Sequence, residues 1–217
     1  MTYKQISEKQ LKKVLYLHKI WLQSHGAKGK RANLSDYDLT SAGSAKILQN
    51  ANLQKAILRS ANMQSMDLYE VSFQEADLSN TIMQQAFLVG TDFTNANLQG
   101  ANLDLTNANN ARFENANMQG ASMLNSYAGS AVMLNANLSF AYLKGVCFTN
   151  SVLQNTILKG ADLKNANLNY ALMEGAEFSV EVIKCSNFFG ACMNKSQAYW
   201  FAFHPLFKNN IGFCTVK

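Results

Sequence analysis

A period of five residues governs most of this chain. In ANLQK, ANMQS, ADLSN, TDFTN, ANLQG, ANMQG, ANLSF, ADLKG and ANLNY, a small residue precedes a polar one, a large apolar centre, another polar residue and a turn former. The centres run from Leu48 to Met193 in one frame, with Ala108 and Ala128 as small exceptions. That span is 145 residues, or 29 steps of five, so 30 units keep register without an insertion.

Five residues overshoot a 3.6-residue turn, so a continuous helix would carry the centres around its whole surface. In a straight strand an odd period would send successive centres to opposite faces. A bend after every unit removes both conflicts, with the Gly and Asn positions supplying tolerant backbone. Four bends close a square coil, and 30 units then make about seven and a half coils, a rod of roughly 36 Å at about 4.8 Å per coil. The residue two before each centre, Ala at 51, 56, 61, 76 and many later units, lies on the same side of an extended segment as the centre. Each unit therefore sends one small and one large side chain into a narrow interior. Burying 30 centres at about 1.5 to 3 kcal/mol each gives a gross term of tens of kcal/mol before chain entropy is subtracted, so no metal or cofactor is needed for stability.

Tandem A(D/N)LXX units of this kind resemble the pentapeptide-repeat family, over about residues 31 to 203. The resemblance implies an all-β solenoid, a right-handed quadrilateral parallel β-helix. It also implies one specific activity: some members, fluoroquinolone-resistance proteins among them, mimic DNA as acidic rods and bind DNA gyrase or topoisomerase IV. Related proteins often dimerise through the C-terminal end.

The ends read differently from the repeats. Residues 1–30 are expected to form an N-terminal amphipathic helix cap, 31–203 the repeat β-helix, and 204–217 a C-terminal cap or tail. Ser7 to Gln10 reads as a capping box, and Leu11, Val14, Leu15, His18, Trp21 and Leu22 recur at helical spacing until Gly26. An open coil exposes core and unpaired edges, which favours a capping role with His18 as a packed residue. The lysine-rich opposite face leaves membrane or nucleic-acid contact as the other reading, though it lacks the interleaved aromatics of a nucleic-acid reader. Leu34 and Leu39 stand out of frame with Leu48, which reads as one residue missing near Gly43 and an irregular corner there. Ala108 and Ala128, twenty apart, are expected to stack and thin the core locally, with Phe113 and Met123 leaning in. Tyr199, Trp200, Phe201, Phe203 and Phe207 read either as a plug on the last coil or as a homodimer contact.

Little in the sequence supports chemistry. His18, His25 and His204 do not converge with a nucleophile on a solenoid, and there is no phosphate loop, HxxxH or CxxC. Cys147, Cys185, Cys192 and Cys214 form no even framework and read as free thiols in a reducing cytoplasm. No secretory signal or roughly 18-residue apolar run is present, so a soluble cytoplasmic protein without enzymatic activity, cofactor, metal or small-molecule substrate is expected.

Function is then a matter of surface. Residues 1–30 carry a net +6 and 31–203 a net −3, within a total of +5. Asp67, Glu70, Glu75, Asp77, Asp92, Asp104 and Glu114 form an acidic belt, yet one far sparser than duplex DNA, with a charge per about 1.7 Å. Outward positions that are usually polar hold Phe87, Tyr127, Val132, Leu134, Phe140 and Tyr142, which read as a docking patch for a protein or as ladder stacking. The leading expectation is a rigid protein-binding or scaffold module, with the topoisomerase-binding DNA mimic as the alternative.

Overall fold

A turn after every unit leaves room for only one or two bridging residues at a time, and this governs the observed architecture. The computed structural model describes residues 2–178 and 187–193, and the backbone of 214–215. Its elements are β1 (Lys4–Gln5), α1 (Glu8–Gln23), β2 (Tyr37–Asp38), β3 (Ile157–Leu158), β4 (Glu177–Phe178), β5 (Cys192–Met193) and β6 (Cys214–Thr215). β1 pairs with β2, β3 with β4 and β5 with β6, all parallel. Single-residue parallel bridges fill the chain between, joining residues 20 apart from Asn52–Ser72 to Leu172–Cys192. Four units therefore make one coil, and each bridge residue is held on both flanks: Leu78 N–H donates to the Asn97 carbonyl at 2.7 Å, and Asn97 N–H to the Ala76 carbonyl at 2.9 Å.

Each corner has the same cause. The Ala56 N–H closes a turn onto the Leu53 carbonyl at 3.0 Å, and the residue before it, Lys55, sits at φ 61°. That left-handed residue recurs as the fifth member of nearly every described unit, which is why Asn and Gly dominate there.

The stack has four sides. Outward residues of the first include Asp67, Phe87, Asn107, Tyr127 and Cys147; of the second, Asp92, Arg112, Val132, Val152 and Leu172; of the third, Asp77, Asn97, Asn117, Asn137 and Ile157; of the fourth, Asn102, Ser122, Tyr142 and Asp162. Inside, the described centres are buried in one continuous core with the small alanines, except Phe178, which is half-buried against it. Phe73, Phe93 and Phe113 form a stacked column behind the second side, with centroids 5.4 and 4.9 Å apart. Where Thr or Ser replaces the small alanine, its hydroxyl finds a carbonyl: Thr91 donates to Leu68 and Ser126 to Leu103, at 2.8 and 2.6 Å. Ala108 and Ala128 do lie on successive coils, the Ala108 N–H donating to the Tyr127 carbonyl. Phe113 belongs to the aromatic column on the neighbouring side rather than to a filling role beside them.

The corner near Gly43 is irregular, but the count differs from the sequence expectation. Asn33 bridges Ile57 and Asp38 bridges Asn62, 24 residues apart, so the first coil has four residues more, not one fewer. A five-residue frame fixes displacement only modulo five, and these two cases look alike in sequence. The extra residues fall between Leu39 and Leu48, since Asn50 already bonds the Tyr69 carbonyl in the regular pattern.

α1 begins with the capping box: Gln10 N–H donates to Ser7 Oγ and Ser7 N–H to Gln10 Oε1. Its Leu11 and His18 are fully buried, and Val14 and Leu15 pack against the same core. The chain returns along it, with the Ala32 N–H donating to His18 Nδ1 at 3.2 Å.

Candidate interaction surfaces

With the interior filled, what this molecule offers is its outside, and the 20-residue coil decides which residues meet there. The six apolar candidates do not form one patch. Phe87 and Tyr127 lie on the first side with Asn107 between them, Val132 and Leu134 at the second, and Tyr142 on the fourth, with Phe140 at its edge. A contiguous patch was read from sequence proximity; a chain that turns every five residues sends near neighbours in sequence to different sides. Phe87, 40% exposed, is partly covered by Tyr69, whose ring lies 6.3 Å away, and Val132 and Leu134 are half-buried. Tyr127, Phe140 and Tyr142 are the prominent ones, at 61%, 58% and 57% exposed.

The acidic belt is likewise spread around the coil, and its carboxylates already have local partners. Glu75 faces Lys55 at 3.5 Å, and Glu114 receives Arg112 at 2.9 Å. Asp67 accepts the Tyr69 N–H, Asp104 accepts the Leu124 N–H and the Ser122 hydroxyl, and Asp92 accepts the Gln74 amide at 2.6 Å. Burial by itself would raise the Asp77 and Asp92 carboxyls; hydrogen bonds from Arg59 and Ser79 in the first case, and from Thr94 and Gln74 in the second, outweigh it and hold both below the usual carboxylate range. Glu70 lies beside Tyr69, whose phenol is raised by hydrogen bonding to that carboxylate and by its charge.

Three features escaped the linear reading. Val132, Val152 and Leu172 form an apolar ladder on the second side, and Tyr170 meets Phe189 edge-on at 5.6 Å at the edge beside it. Lys144, Lys159 and Lys164 flank the fourth side, all exposed. Writing the sequence in rows of twenty would have aligned Val132, Val152 and Leu172, and Lys144 with Lys164.

No group of three or more potential metal ligands occurs among the described residues. A groove of about 480 Å³ beside α1 is lined by Trp21, Leu22, His25, Gly26, Gln54 and Lys55, with no carboxylate or thiol to work with His25. Among the described residues His18 is the buried ionisable side chain: desolvation lowers its pKa, the Gln54 backbone opposes that, and Arg31 adds to the lowering. Its Nε2 is buried without a hydrogen-bond partner. Cys147 is a free, half-buried thiol 3.2 Å from the Thr149 hydroxyl, and Cys192 is half-buried as well. Tyr199, Trp200, Phe201, Phe203 and Phe207 lie outside the described residues, as do Cys185 and His204. Among the described residues no helix is long and apolar enough to cross a membrane.

A coil of four five-residue units, stacked in parallel, defines a four-sided β-solenoid. Its sequence matches the family model for pentapeptide repeats in eight copies, over residues 47–74, 72–107, 86–123 and 147–179, and the chain belongs to that family. Among solved structures it is similar to trypsin-treated QnrB1, a plasmid-mediated fluoroquinolone resistance protein, at 18% identity and a TM-score of 0.70, covering 76% of this chain and 81% of that one. It is also similar to HetL from the cyanobacterium Nostoc sp. strain PCC 7120, a pentapeptide repeat protein involved in heterocyst differentiation regulation, at 26% identity and a TM-score of 0.55, with 80% of each chain covered. No curated protein sequence matches the chain.

Proposed function

We propose that this chain is a rigid, non-enzymatic protein-binding scaffold whose outer sides are its working surface, with α1 covering the open first coil. The observation that carries this reading is the combination of a filled interior with exposed rings: the centres from Leu48 to Met173 are buried, while Tyr127, Phe140 and Tyr142 stand more than half exposed. Such rings on a stiff support lose little freedom on contact, which favours docking. Pentapeptide-repeat proteins in general support or bind rather than catalyse. For α1, the support is that its Leu11 and His18 lose all exposure against the first coil. A cytoplasmic setting accords with the free thiol Cys147.

The competing reading, a DNA mimic that binds DNA gyrase or topoisomerase IV, has to contend with carboxylates spread over several sides and engaged with their own neighbours. A gyrase supercoiling assay with and without a quinolone separates the two. The scaffold reading expects neither inhibition nor protection at micromolar protein. Docking itself is tested by affinity capture with the full chain, comparing wild type with Tyr127→Asp and Leu134→Asp. Loss of a captured protein in either folded variant supports a surface role, and failure of the folded wild type to retain any protein at physiological salt overturns it.

A further inference from the structure

The acidic belt ends at Glu114, and from there to Met173 the sequence holds one acid, Asp162, against Lys144, Lys159 and Lys164. The coil brings all three lysines to one side. Tyr142 and Asp162 bridge on the fourth side. Lys144 and Lys164 lie at one edge on successive coils, Gly145 N–H donating to the Lys164 carbonyl at 2.9 Å. Phe140 and Lys159 lie at the other edge, Phe140 N–H donating to the Lys159 carbonyl at 3.0 Å. None of the three lysines makes an ion pair among the described residues, unlike Lys55, Arg59 and Arg112 farther up the rod. Two like charges stacked at about 4.8 Å repel each other.

The rings beside them are held in place. Phe140 sits in the left-handed region at φ 58°, an unusual site for a bulky residue, and its ring lies where a side chain on Gly160 would stand.

Resting on the scaffold reading, and naming a partner class for it, we propose that the fourth side, through Phe140, Tyr142, Lys144, Lys159 and Lys164, docks an acidic segment of a partner protein that carries apolar side chains. The lysines supply charge complementarity and the rings the apolar contact. The chemistry favours a peptide over a nucleic acid strand. The cations occupy only two coils, about 5 Å of rod, whereas single-strand binding sites span about 4–16 nucleotides. Asp162, in the middle, repels a phosphate chain but can accept a peptide N–H.

The probes are fluorescein-labelled twelve-residue peptides of mixed Glu and Phe, the same peptide with Gln for Glu, and a twelve-residue oligothymidylate, titrated by anisotropy with the full chain. Expected are binding of the acidic peptide that weakens with salt, no binding of the Gln peptide, and at least tenfold weaker binding by both Lys144→Glu/Lys164→Glu and Tyr142→Ala. Lys144→Glu/Lys164→Glu keeps two like charges stacked beside Asp162, so Lys144→Gln/Lys164→Gln, which removes the charges and stacks none, is measured with it; its thermal midpoint is expected to stay level or rise while binding falls. Equal affinity in wild type and variants overturns the proposal, as does absence of acidic-peptide binding. Oligothymidylate binding that the same substitutions abolish, in preference to the peptide, also overturns it, in favour of a nucleic-acid surface. If a protein captured by the wild type is still retained by Lys144→Glu/Lys164→Glu but lost by Tyr127→Asp, docking lies on another side, and the scaffold reading survives this proposal's failure.

Discussion

Gly160 is the position where a single methyl group tests the corner geometry most sharply. It sits at φ 71°, and a Cβ there would fall 2.6 Å from Phe140 Cδ1 and 2.7 Å from Cε1. Gly120 occupies the same edge two coils earlier at φ 66°, with nothing within 4 Å of an added Cβ. Gly120→Ala therefore carries only the left-handed backbone penalty, about 1 kcal/mol. Gly160→Ala carries that penalty plus displacement of the ring off its rotamer, about 0.5–1.5 kcal/mol more, for a total of about 2 kcal/mol. Removing the ring in Phe140→Ala/Gly160→Ala is expected to abolish the excess, leaving a coupling of about 1 kcal/mol between the two sites. Urea unfolding followed by circular dichroism measures these three variants and the single Phe140→Ala that closes the cycle. Equal costs for Gly160→Ala and Gly120→Ala, or an additive double variant, would refute a ring seated on the glycine.

Other outcomes follow from the core and the titratable groups. Phe93→Ala, which empties the middle of the stacked column between Phe73 and Phe113, is expected to cost about 3–5 kcal/mol by urea unfolding; a cost near 1 would contradict the stacking. His18 has its pKa lowered from 6.5, so the unfolded chain binds more protons and the stability of the α1 contact falls as pH drops below about 6.5; Trp21 fluorescence in a Trp200→Phe background should follow that loss, and His18→Asn should remove it. Asp77 is held below 3.8, so its contribution is present above that value and fades as pH falls through and below it; Asp77→Ala is expected to lower stability by about 1 kcal/mol at pH 7 and to make little difference at pH 2 in urea unfolding.

The core was legible because one residue type at one spacing encodes it. Leu48 through Met193 could be assigned inward from the alternation of small and large, and the helix over Glu8–Gln23 from Ser7, Gln10 and the Leu11–Leu22 pattern. What the five-residue period hides is anything defined modulo twenty. The extra residues between Leu39 and Leu48 looked like a deletion because four and minus one are equivalent in that frame. Tyr127, Leu134 and Tyr142 looked like neighbours because they are close in sequence, although the coil places them on three different sides. The lysines of the fourth side escaped notice for the converse reason: Lys144 and Lys164 are twenty residues apart and adjacent in space. The ring seat of Phe140 on Gly160 depends on a left-handed aromatic, which no propensity favours.

The 20-residue coil underlies every surface assignment, and paired spin labels test it directly. With the native cysteines replaced by serine, labels at Lys55→Cys and Asn155→Cys share one edge five coils apart, and at Glu75→Cys and Asn155→Cys four coils apart. Backbone separations of about 24 and 19 Å are expected, a step of about 5 Å per twenty residues. Distances that do not shorten by that step when the first label moves by twenty residues would contradict the stacked coil, and with it the grouping of residues on each side.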